Sequence, residues 1–448
     1  MQGLHLTPAI VWSLLGTLFS GVAGPAAAIL IAHRFSPELQ GYYYTFNSLL
    51  ALSVFLELGF NTCIVQFISH ESAHLVITEE RTLKGPGRHL GRLVSLARLS
   101  FKWYLVAAIL LFLGVGIGGE IFFRLNDHGD GISWRWAWWL LCFTSAANLT
   151  SLPLLAILDG CDQVNWTARA RIFQNIGRSS VLILLLFLGF GLYAPAIASL
   201  AALLVLAFQY FKQWKKLTSQ IIASVEVEEV SWKKEIWPMQ WRIAISWASG
   251  YFIFSIFSPL LFASAGAKAA GQFGMTWAFV MAISTISQSF VVTRAPRFGS
   301  LISRGDWLEL RKLWRVSVVQ SIGLCLLAFS VFISGIFLLE YFKSPFRQRL
   351  IGMVPLLALC MATLINQLVF TIATLARAEK REPFLWSSVT VAVFVSVGCY
   401  VSAQKYQVSG VAFSYLGGCV LGLIWAIFIY KKTQMNIMIN SVTKLNEN

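Results

Sequence analysis

Residues 42–68 read YYYTFNSLLALSVFLELGFNTCIVQFI, an apolar run in which Glu57 is the only charged residue. A helix that crosses a bilayer needs about 20 predominantly apolar residues, and this run is long enough. A carboxylate at the centre of such a span costs roughly 2.5 to 3.5 kcal/mol on insertion scales, so it is retained for a function by default. We therefore predict that residues 42–68 cross a membrane and that Glu57 belongs to a functional site.

The composition of the whole chain is that of a polytopic membrane protein. Hydrophobic residues make up 57% of the 448 residues, charged residues make up 12%, and the mean hydropathy is +0.68. These values exclude an ordinary soluble domain. We predict an all-α integral membrane protein with twelve spans, at 8–33, 42–68, 101–120, 136–158, 170–192, 194–211, 241–263, 271–293, 316–340, 350–376, 384–403 and 409–430.

The positive charges of the chain predict its orientation. Most of the 35 Lys and Arg residues fall in alternate connecting segments and in the C-terminal tail. Because cytoplasmic loops retain positive charge, both termini are predicted to be cytoplasmic. The formal charge of +15 follows from this bias, so nucleic acid is not predicted as a partner. The seven cysteines include no CxxC pair, and no metal site or disulfide framework is predicted.

The two halves of the chain resemble each other. The matching positions are Pro25 and Pro259, Arg34 and Lys268, and Glu57 and Gln288. Their common order predicts two six-helix lobes that share one orientation, as in transporters built from parallel repeats. The predicted domains are a first lobe at 1–211, a cytoplasmic linker at 212–240, a second lobe at 241–431 and a cytoplasmic tail at 432–448.

Prolines fall inside several predicted spans. A proline inside a helix removes one backbone hydrogen bond and leaves either a fixed kink or a hinge. The symmetric pair Pro25 and Pro259 is the hinge candidate, and Pro153 and Pro355 interrupt two further spans.

Two stretches carry a resemblance to a known family. The first runs from Phe35 to Phe46 (FSPELQGYYYTF) and continues through Phe55-Leu-Glu57-Leu-Gly59-Phe60. The second runs from Trp232 to Arg242 (WKKEIWPMQWR). Both resemble polysaccharide flippases of the O-antigen type, which belong to the multidrug/oligosaccharidyl-lipid/polysaccharide (MOP) exporter superfamily.

This resemblance implies a fold, a substrate and a location. The implied fold is a V-shaped pair of six-helix lobes around a cavity that opens alternately to each side of a bacterial inner membrane. The implied substrate is an undecaprenyl-diphosphate-linked oligosaccharide, flipped from the cytoplasmic to the outer leaflet for surface polysaccharide assembly. The implied partners are membrane lipids, a polysaccharide polymerase and other assembly proteins, with no enzymatic activity in this chain.

A diphosphate headgroup requires cations within the membrane, and arginine suits this task because its planar fork pairs with phosphate. The candidate cations are Arg34, Lys268, Arg178, Arg242 and Arg294. The alternative for the last three is that they extend towards the lipid headgroups.

Three amide residues could bind sugars or could join helices: Gln288, Asn366 and Gln367. Glu57 has three open roles, which are a coupling site for H⁺ or Na⁺, a counter-ion to a cavity arginine, and a protonated structural acid. No other cofactor is predicted.

Two further patterns have both a structural and a functional interpretation. Asp159, Asp162, Arg169 and Arg171 lie close together in sequence and form either a structural ion-pair cluster or an intracellular gate. The segment 70–74 reads HESAH, which matches the zinc motif HExxH but lies in a polar stretch with no assured third ligand.

Two other functions remain open. A multidrug exporter of the same superfamily would usually carry acidic residues in the first, seventh or tenth span, and these spans contain none. A membrane glycosyltransferase or polymerase acting on the same lipid would normally need a sizeable outer domain, whereas the largest predicted outer loop is about 120–135.

Overall fold

The computed structural model describes residues 8–127, 129, 131–224, 230–378 and 383–446. Within these ranges the chain forms sixteen α-helices and one antiparallel hairpin of β1 (Val76–Ile77) and β2 (Leu83–Lys84). The helices are α1 (Pro8–Arg34), α2 (Pro37–Leu50), α3 (Val54–Glu57), α4 (Phe60–Ser72), α5 (Gly87–Leu110), α6 (Gly116–Leu125), α7 (Arg135–Leu149), α8 (Leu152–Gly160), α9 (Val164–Phe187), α10 (Ala194–Ala223), α11 (Trp237–Phe254), α12 (Phe257–Val292), α13 (Ala295–Arg304), α14 (Trp307–Tyr341), α15 (Met353–Ala378) and α16 (Leu385–Asn446).

Each predicted apolar run coincides with helical structure over most of its length, so the all-α prediction is confirmed. Among the described residues, eight helical segments are long and apolar enough to span a membrane, or nine if the bent pair Pro37–Glu57 and Phe60–Ser72 is one span. Two of the eight contain two predicted runs each, separated by a residue with non-helical backbone angles. These residues are Gly266 (φ 83°) in α12 and Gln407 (φ 47°) in α16.

The outer faces of the helices are apolar, as a bilayer requires. On α14, Val319, Leu327 and Val331 are each more than 60% exposed. A soluble protein rarely exposes such a contiguous apolar surface, whereas lipid tails cover it at no cost.

The contacts between residues divide the chain into two compact units. The first unit contains residues up to Ala23 together with Arg34–Tyr251, and the second contains Gly24–His33 and the chain from Phe252 onward. The domain boundaries predicted from the sequence remain a prediction. Residues 225–229 of the predicted linker and 447–448 of the predicted tail lie outside the described residues.

In the first unit, the β1–β2 hairpin and α5 hold the last turns of α10. The Gln220 side chain donates to the Leu83 carbonyl at 2.6 Å and accepts from the Leu83 N–H at 2.7 Å. Arg98 donates to the Ile221 carbonyl at 3.1 Å. These bonds satisfy backbone groups that a hairpin edge and a helix end leave without partners.

In the second unit, the short helix α13 is amphipathic. Phe298 and Leu301 are buried on one face, where they pack with Val291, Leu310 and Leu375 from α12, α14 and α15. This packing fixes the connection between the two long helices α12 and α14.

Candidate functional site

Glu57 is the last residue of α3 and lies at a break in the second predicted span. Leu58 (φ 48°) and Gly59 (φ 65°) both have left-handed backbone conformations, and the helix resumes at Phe60 after a bend of 42°. Left-handed residues interrupt the helical hydrogen-bond ladder. Discontinuous helices of this kind supply ion sites in membrane transporters.

Gly59 is required at this break for two reasons, and its substitution gives a testable prediction. Its φ is positive, and a Cβ atom added there would lie 2.2 Å from Cγ2 of Ile243 on α11. We expect Gly59→Ala to lower the free energy of unfolding by about 2 to 4 kcal/mol, from left-handed strain and overpacking. Thermal unfolding of the purified protein in detergent would measure this loss.

Gly118→Ala is the matched control for Gly59→Ala. A Cβ atom at Gly118 would meet no other atom within 4 Å, and this residue lies inside α6. Alanine is favoured over glycine in a helix interior, so this control should unfold at the wild-type temperature or slightly above it. Equal unfolding temperatures for the two variants would contradict the prediction.

The first unit contains a cavity of about 530 Å³ that Glu57 lines. Most of its wall comes from α2, α7, α9 and α10, and Glu57 lines it from the end of α3. Residues on one face of a helix recur three or four positions apart. The α7 wall follows this rule with Leu141, Ser145 and Asn148, so one face of the helix is turned towards the cavity.

Amides and hydroxyls supply most of the polar lining. Asn148 donates from Nδ2 to the backbone oxygen of Ser199 on α10 at 2.9 Å, which fixes its side chain. Its Oδ1 atom is buried and has no partner among the described residues. The other polar uncharged lining residues are Tyr43, Asn47, Ser53, Ser145, Ser151, Gln174, Asn175 and Ser199.

Arg178, on α9, lines the same cavity as Glu57, and these two are its charged lining residues. Neither makes a hydrogen bond or an ion pair with another residue in the described part of the chain. Uncompensated charges are expensive within a membrane span. The cavity is therefore equipped to receive an anionic group at Arg178, a cation or proton at Glu57, and hydroxyl groups at the amides.

The second unit contains a cavity of about 400 Å³ that is lined by α12, α15, α16 and the end of α11. Gln288 and Asn366 line it. The two positions matched by the sequence repeat, Glu57 and Gln288, thus each line a cavity in their own unit. The helix is broken beside Glu57 but is continuous through Gln288.

Known structures share this fold. No protein-family model and no curated protein sequence matches the chain. An inward-facing multidrug resistance MATE-family transporter of the MOP superfamily has a TM-score of 0.62 at 14% identity, over 96% of this chain and 99% of that one. The lipid II flippase MurJ, in an inward closed conformation, has a TM-score of 0.62 at 17% identity, over 97% and 91%. A MOP superfamily transporter from Pyrococcus furiosus has a TM-score of 0.55 at 14% identity, over 98% of both chains.

The chain has the fold of MOP superfamily transporters. The fold class predicted from the sequence is thereby confirmed. The three similar proteins are transporters and not enzymes, in agreement with the prediction that this chain is not an enzyme. They include both a flippase and a multidrug exporter, so the MOP fold does not select a substrate.

Four of the five predicted cations lie outside the linings of these two cavities in the MOP fold. Arg34 is exposed at the end of α1, with its guanidinium carbon 4.8 Å from the ring centre of Phe187. Lys268 is exposed just after the break at Gly266, and Arg242 is exposed on α11. Arg294 donates to Ser317 Oγ at 3.0 Å. Of the five, Arg178 alone lines a cavity described above.

Gln367 joins helices. It is fully buried, and its Nε2 atom donates to Ser321 Oγ on α14 at 2.5 Å. Ser321 in turn donates to the Ser287 carbonyl on α12 at 2.8 Å. Its neighbour Asn366 points to a different surface and lines the second cavity.

The Asp and Arg cluster forms one ion pair within the first unit. Asp159, at the end of α8, accepts from Arg171 at 2.7 Å and also from the Thr167 hydroxyl. Asp162 has a left-handed backbone where α8 gives way to α9, and both it and Arg169 are exposed. The gate role of this cluster stays a prediction.

The prolines occupy two kinds of position. Pro25 lies inside α1, as the hinge hypothesis requires. Pro259 and Pro355 each lie in the first turn of their helix, and Pro153 follows the break between α7 and α8. A first-turn proline sacrifices no intrahelical hydrogen bond, so the prediction that Pro355 interrupts a span is wrong. The hinge role of Pro25 and Pro259 stays a prediction.

The HExxH match does not form a zinc site. The helix ends at Ser72, so His70 and His74 do not share one helical face. Glu71 is buried and accepts from Arg92 Nε at 2.8 Å, and His89 Nδ1 lies 2.7 Å from its other oxygen. Among the described residues, no group of three or more His, Cys, Asp or Glu could hold a metal ion.

Sequence reasoning missed most of the polar cavity lining. On α9, Gln174, Arg178 and Leu182 recur at intervals of four and share one face. A search for amides at helical spacing from Arg178 would have found Gln174 but could not have joined it to Asn148 on α7.

Proposed function

We propose that this chain is a secondary transporter that flips a lipid-linked oligosaccharide, carried on a polyprenyl diphosphate, across a bacterial inner membrane with both termini cytoplasmic. The observation that carries this proposal is that Arg178, Glu57 and a set of amides and hydroxyls together line the cavity of the first unit. The fold shared with a lipid II flippase also supports it.

Each part of such a substrate has a matching group in the first cavity. The guanidinium of Arg178 is suited to phosphate, because its planar fork forms two parallel charge-assisted hydrogen bonds. The amide of Gln174 can donate to and accept from sugar hydroxyls, and Oδ1 of Asn148 is an acceptor without a partner among the described residues. The lipid tail needs no protein site, because it can remain in the bilayer.

Glu57 gives the transporter a coupling site for H⁺ or Na⁺. In the proposed cycle the headgroup enters from the inner leaflet and binds at Arg178, and the cation binds at Glu57. Bending of α1 at Pro25 then helps to exchange access between the two sides. A polysaccharide polymerase and other assembly proteins would use the flipped product.

An ion-coupled multidrug exporter is the second candidate, because solved MATE-family exporters share the fold. Export of organic cations requires acidic residues to hold them. However, α1, α11 and α15 contain no Asp or Glu, and Glu57 is the one carboxylate in the linings of the two cavities. A membrane glycosyltransferase or polymerase has no support from the fold.

A headgroup-access assay in proteoliposomes tests the proposal. One set of liposomes would contain a polyprenyl diphosphate with a fluorescent oligosaccharide, and a second set would contain an encapsulated cationic dye. A quencher in the external solution would report the fraction of each fluorophore that has reached the outside. We expect the purified chain to translocate the saccharide lipid and to leave the dye inside. Export of the dye without movement of any saccharide lipid would instead establish the multidrug function.

A further inference from the structure

The cavity of the second unit has an ordered polar and apolar lining along α15. Asn366, Phe370, Ala373 and Arg377 recur at intervals of three or four residues and therefore share one face of this helix. Asn366 and Arg377 are eleven residues apart, which is about 16 Å along the helix axis. This face of α15 therefore has an amide at one end, a guanidinium at the other, and an aromatic ring between them.

A second amide on α12 complements Asn366. Gln288 donates from Nε2 to Ser284 Oγ at 3.1 Å, and this bond fixes its side chain while Oε1 remains an acceptor for a ligand. Ser284 lies 3.5 Å from the buried Gln367, the sequence neighbour of Asn366, so these parts of α12 and α15 are in contact. Asn366 makes no hydrogen bond with any residue in the described ranges.

The charge of this lining differs from that of the first cavity. Among the described residues of this lining, Arg377, exposed in the last turn of α15, is the one that carries a charge, and none is Asp or Glu. The site therefore suits a ligand that is neutral and rich in hydroxyls at one end and anionic at the other. A sugar joined to phosphate has this chemistry, and the rings of Phe370 and Phe384 offer apolar surfaces for a sugar ring.

We propose that the cavity of the second unit is a second binding site for the sugar phosphate part of the substrate, with the sugar at Gln288 and Asn366 and the phosphate at Arg377. This proposal rests on the proposed function and adds that the binding sites of the two units have different roles. The first site contains a carboxylate and couples to a cation. The described lining of the second contains no carboxylate, and this site binds the same chemistry independently of the cation gradient.

Cys419 provides a native reporter of this site. It lines the second cavity, it is 6% exposed, and the other six cysteines line neither cavity. The wild-type chain in lipid nanodiscs would be treated with a small methanethiosulfonate reagent, and peptide mass spectrometry would follow each cysteine separately. The probes are short-chain prenyl diphosphates that carry glucose, galactose or N-acetylglucosamine, the same prenyl diphosphate without sugar, and inorganic phosphate.

At least one of the three sugar-bearing probes should protect Cys419. At a concentration ten times the dissociation constant, its labelling rate should fall about tenfold, because only the free fraction reacts. This protection should be the same at pH 6 and pH 8 and should not extend to the other six cysteines. No protection, or equal protection by the probe without sugar or by inorganic phosphate, would overturn the proposal.

Variants at the two amides locate the sugar contact. Gln288→Ala and Asn366→Ala should abolish protection of Cys419, whereas Gln404→Ala, at an exposed amide on α16 outside the lining, should retain it. If an amide variant unfolds, the wild-type protection measurement still decides the proposal.

The failure of this proposal is distinguishable from the failure of the proposed function. Translocation of a saccharide lipid without protection of Cys419 rejects the second site alone. Protection of Cys419 by a sugar-bearing probe without translocation of any saccharide lipid rejects the flippase function and retains the site.

Discussion

Arg178→Gln should raise the substrate concentration needed for half-maximal flipping by roughly tenfold to a hundredfold. Hydrogen bonds to a charged group contribute about 1.5 to 3 kcal/mol, and each 1.4 kcal/mol is a factor of ten in affinity. Glutamine keeps a polar side chain in the cavity but removes the charge and the fork. Arg178→Lys should fall between the wild type and Arg178→Gln, because it keeps the charge without the fork. The headgroup-access assay over a range of lipid concentrations would measure these shifts.

Two controls separate a substrate contact from a structural effect. Arg178 forms no hydrogen bond or ion pair with the described residues, so Arg178→Gln should unfold at the wild-type temperature. Lys216→Gln removes a positive charge from the exposed end of α10, where Lys216 lies 3.5 Å from Glu80, and should leave flipping unchanged. An Arg178→Gln variant with wild-type concentration dependence would show that Arg178 does not bind the headgroup.

The substrate offers a further check on the role of Arg178. If the guanidinium binds the diphosphate, replacing Arg178 should weaken the binding of a monophosphate-linked lipid less than that of the diphosphate lipid. The monophosphate presents fewer oxygens to the planar fork of the guanidinium. An equal loss of affinity for both lipids would show that Arg178 contacts another part of the headgroup.

The helices of this fold were predictable from sequence because their signal is local. A run of about 20 apolar residues has few alternatives to a membrane helix, whatever its neighbours are. The match between Glu57 and Gln288 was also informative, since both residues line cavities.

The break beside Glu57 was not predictable, because its cause is remote in sequence. A proline marks a helix break directly in a sequence, whereas the second span is broken at Leu58 and Gly59 without one. Gly59 leaves room for Ile243, which lies far along the chain on α11. Only the folded first unit brings these two residues together.

The residues that line the cavities were also not predictable from the local sequence. An amide in a membrane helix can join helices or face a cavity, and Gln367 and Asn366 are sequence neighbours that do one each. The choice depends on which helices pack on each side of α15. In the sequence, Arg178, Arg242 and Arg294 had the same two interpretations, and of these three only Arg178 lines one of the two cavities described.

Glu57→Gln should uncouple flipping from the cation gradient. One elementary charge that moves through 100 mV gains about 2.3 kcal/mol, which corresponds to roughly a fiftyfold bias in the distribution of a coupled substrate. Glutamine has nearly the same shape as glutamate but can neither ionise nor release a proton. The variant should still equilibrate the saccharide lipid between leaflets, and an imposed gradient should no longer change the final distribution.

The measurement of Glu57→Gln also identifies the coupling ion. Proteoliposomes would be prepared with a pH gradient alone, with a Na⁺ gradient alone, and with neither, and the external fraction of the saccharide lipid would be measured at equilibrium. Wild type should respond to one of the two gradients and Glu57→Gln to neither, while Glu57→Asp retains part of the response. Glu57 makes no hydrogen bond or ion pair with the described residues, so its replacement should leave the unfolding temperature unchanged. A full gradient response in Glu57→Gln would place the coupling site elsewhere and leave Glu57 as a counter-ion or a structural acid.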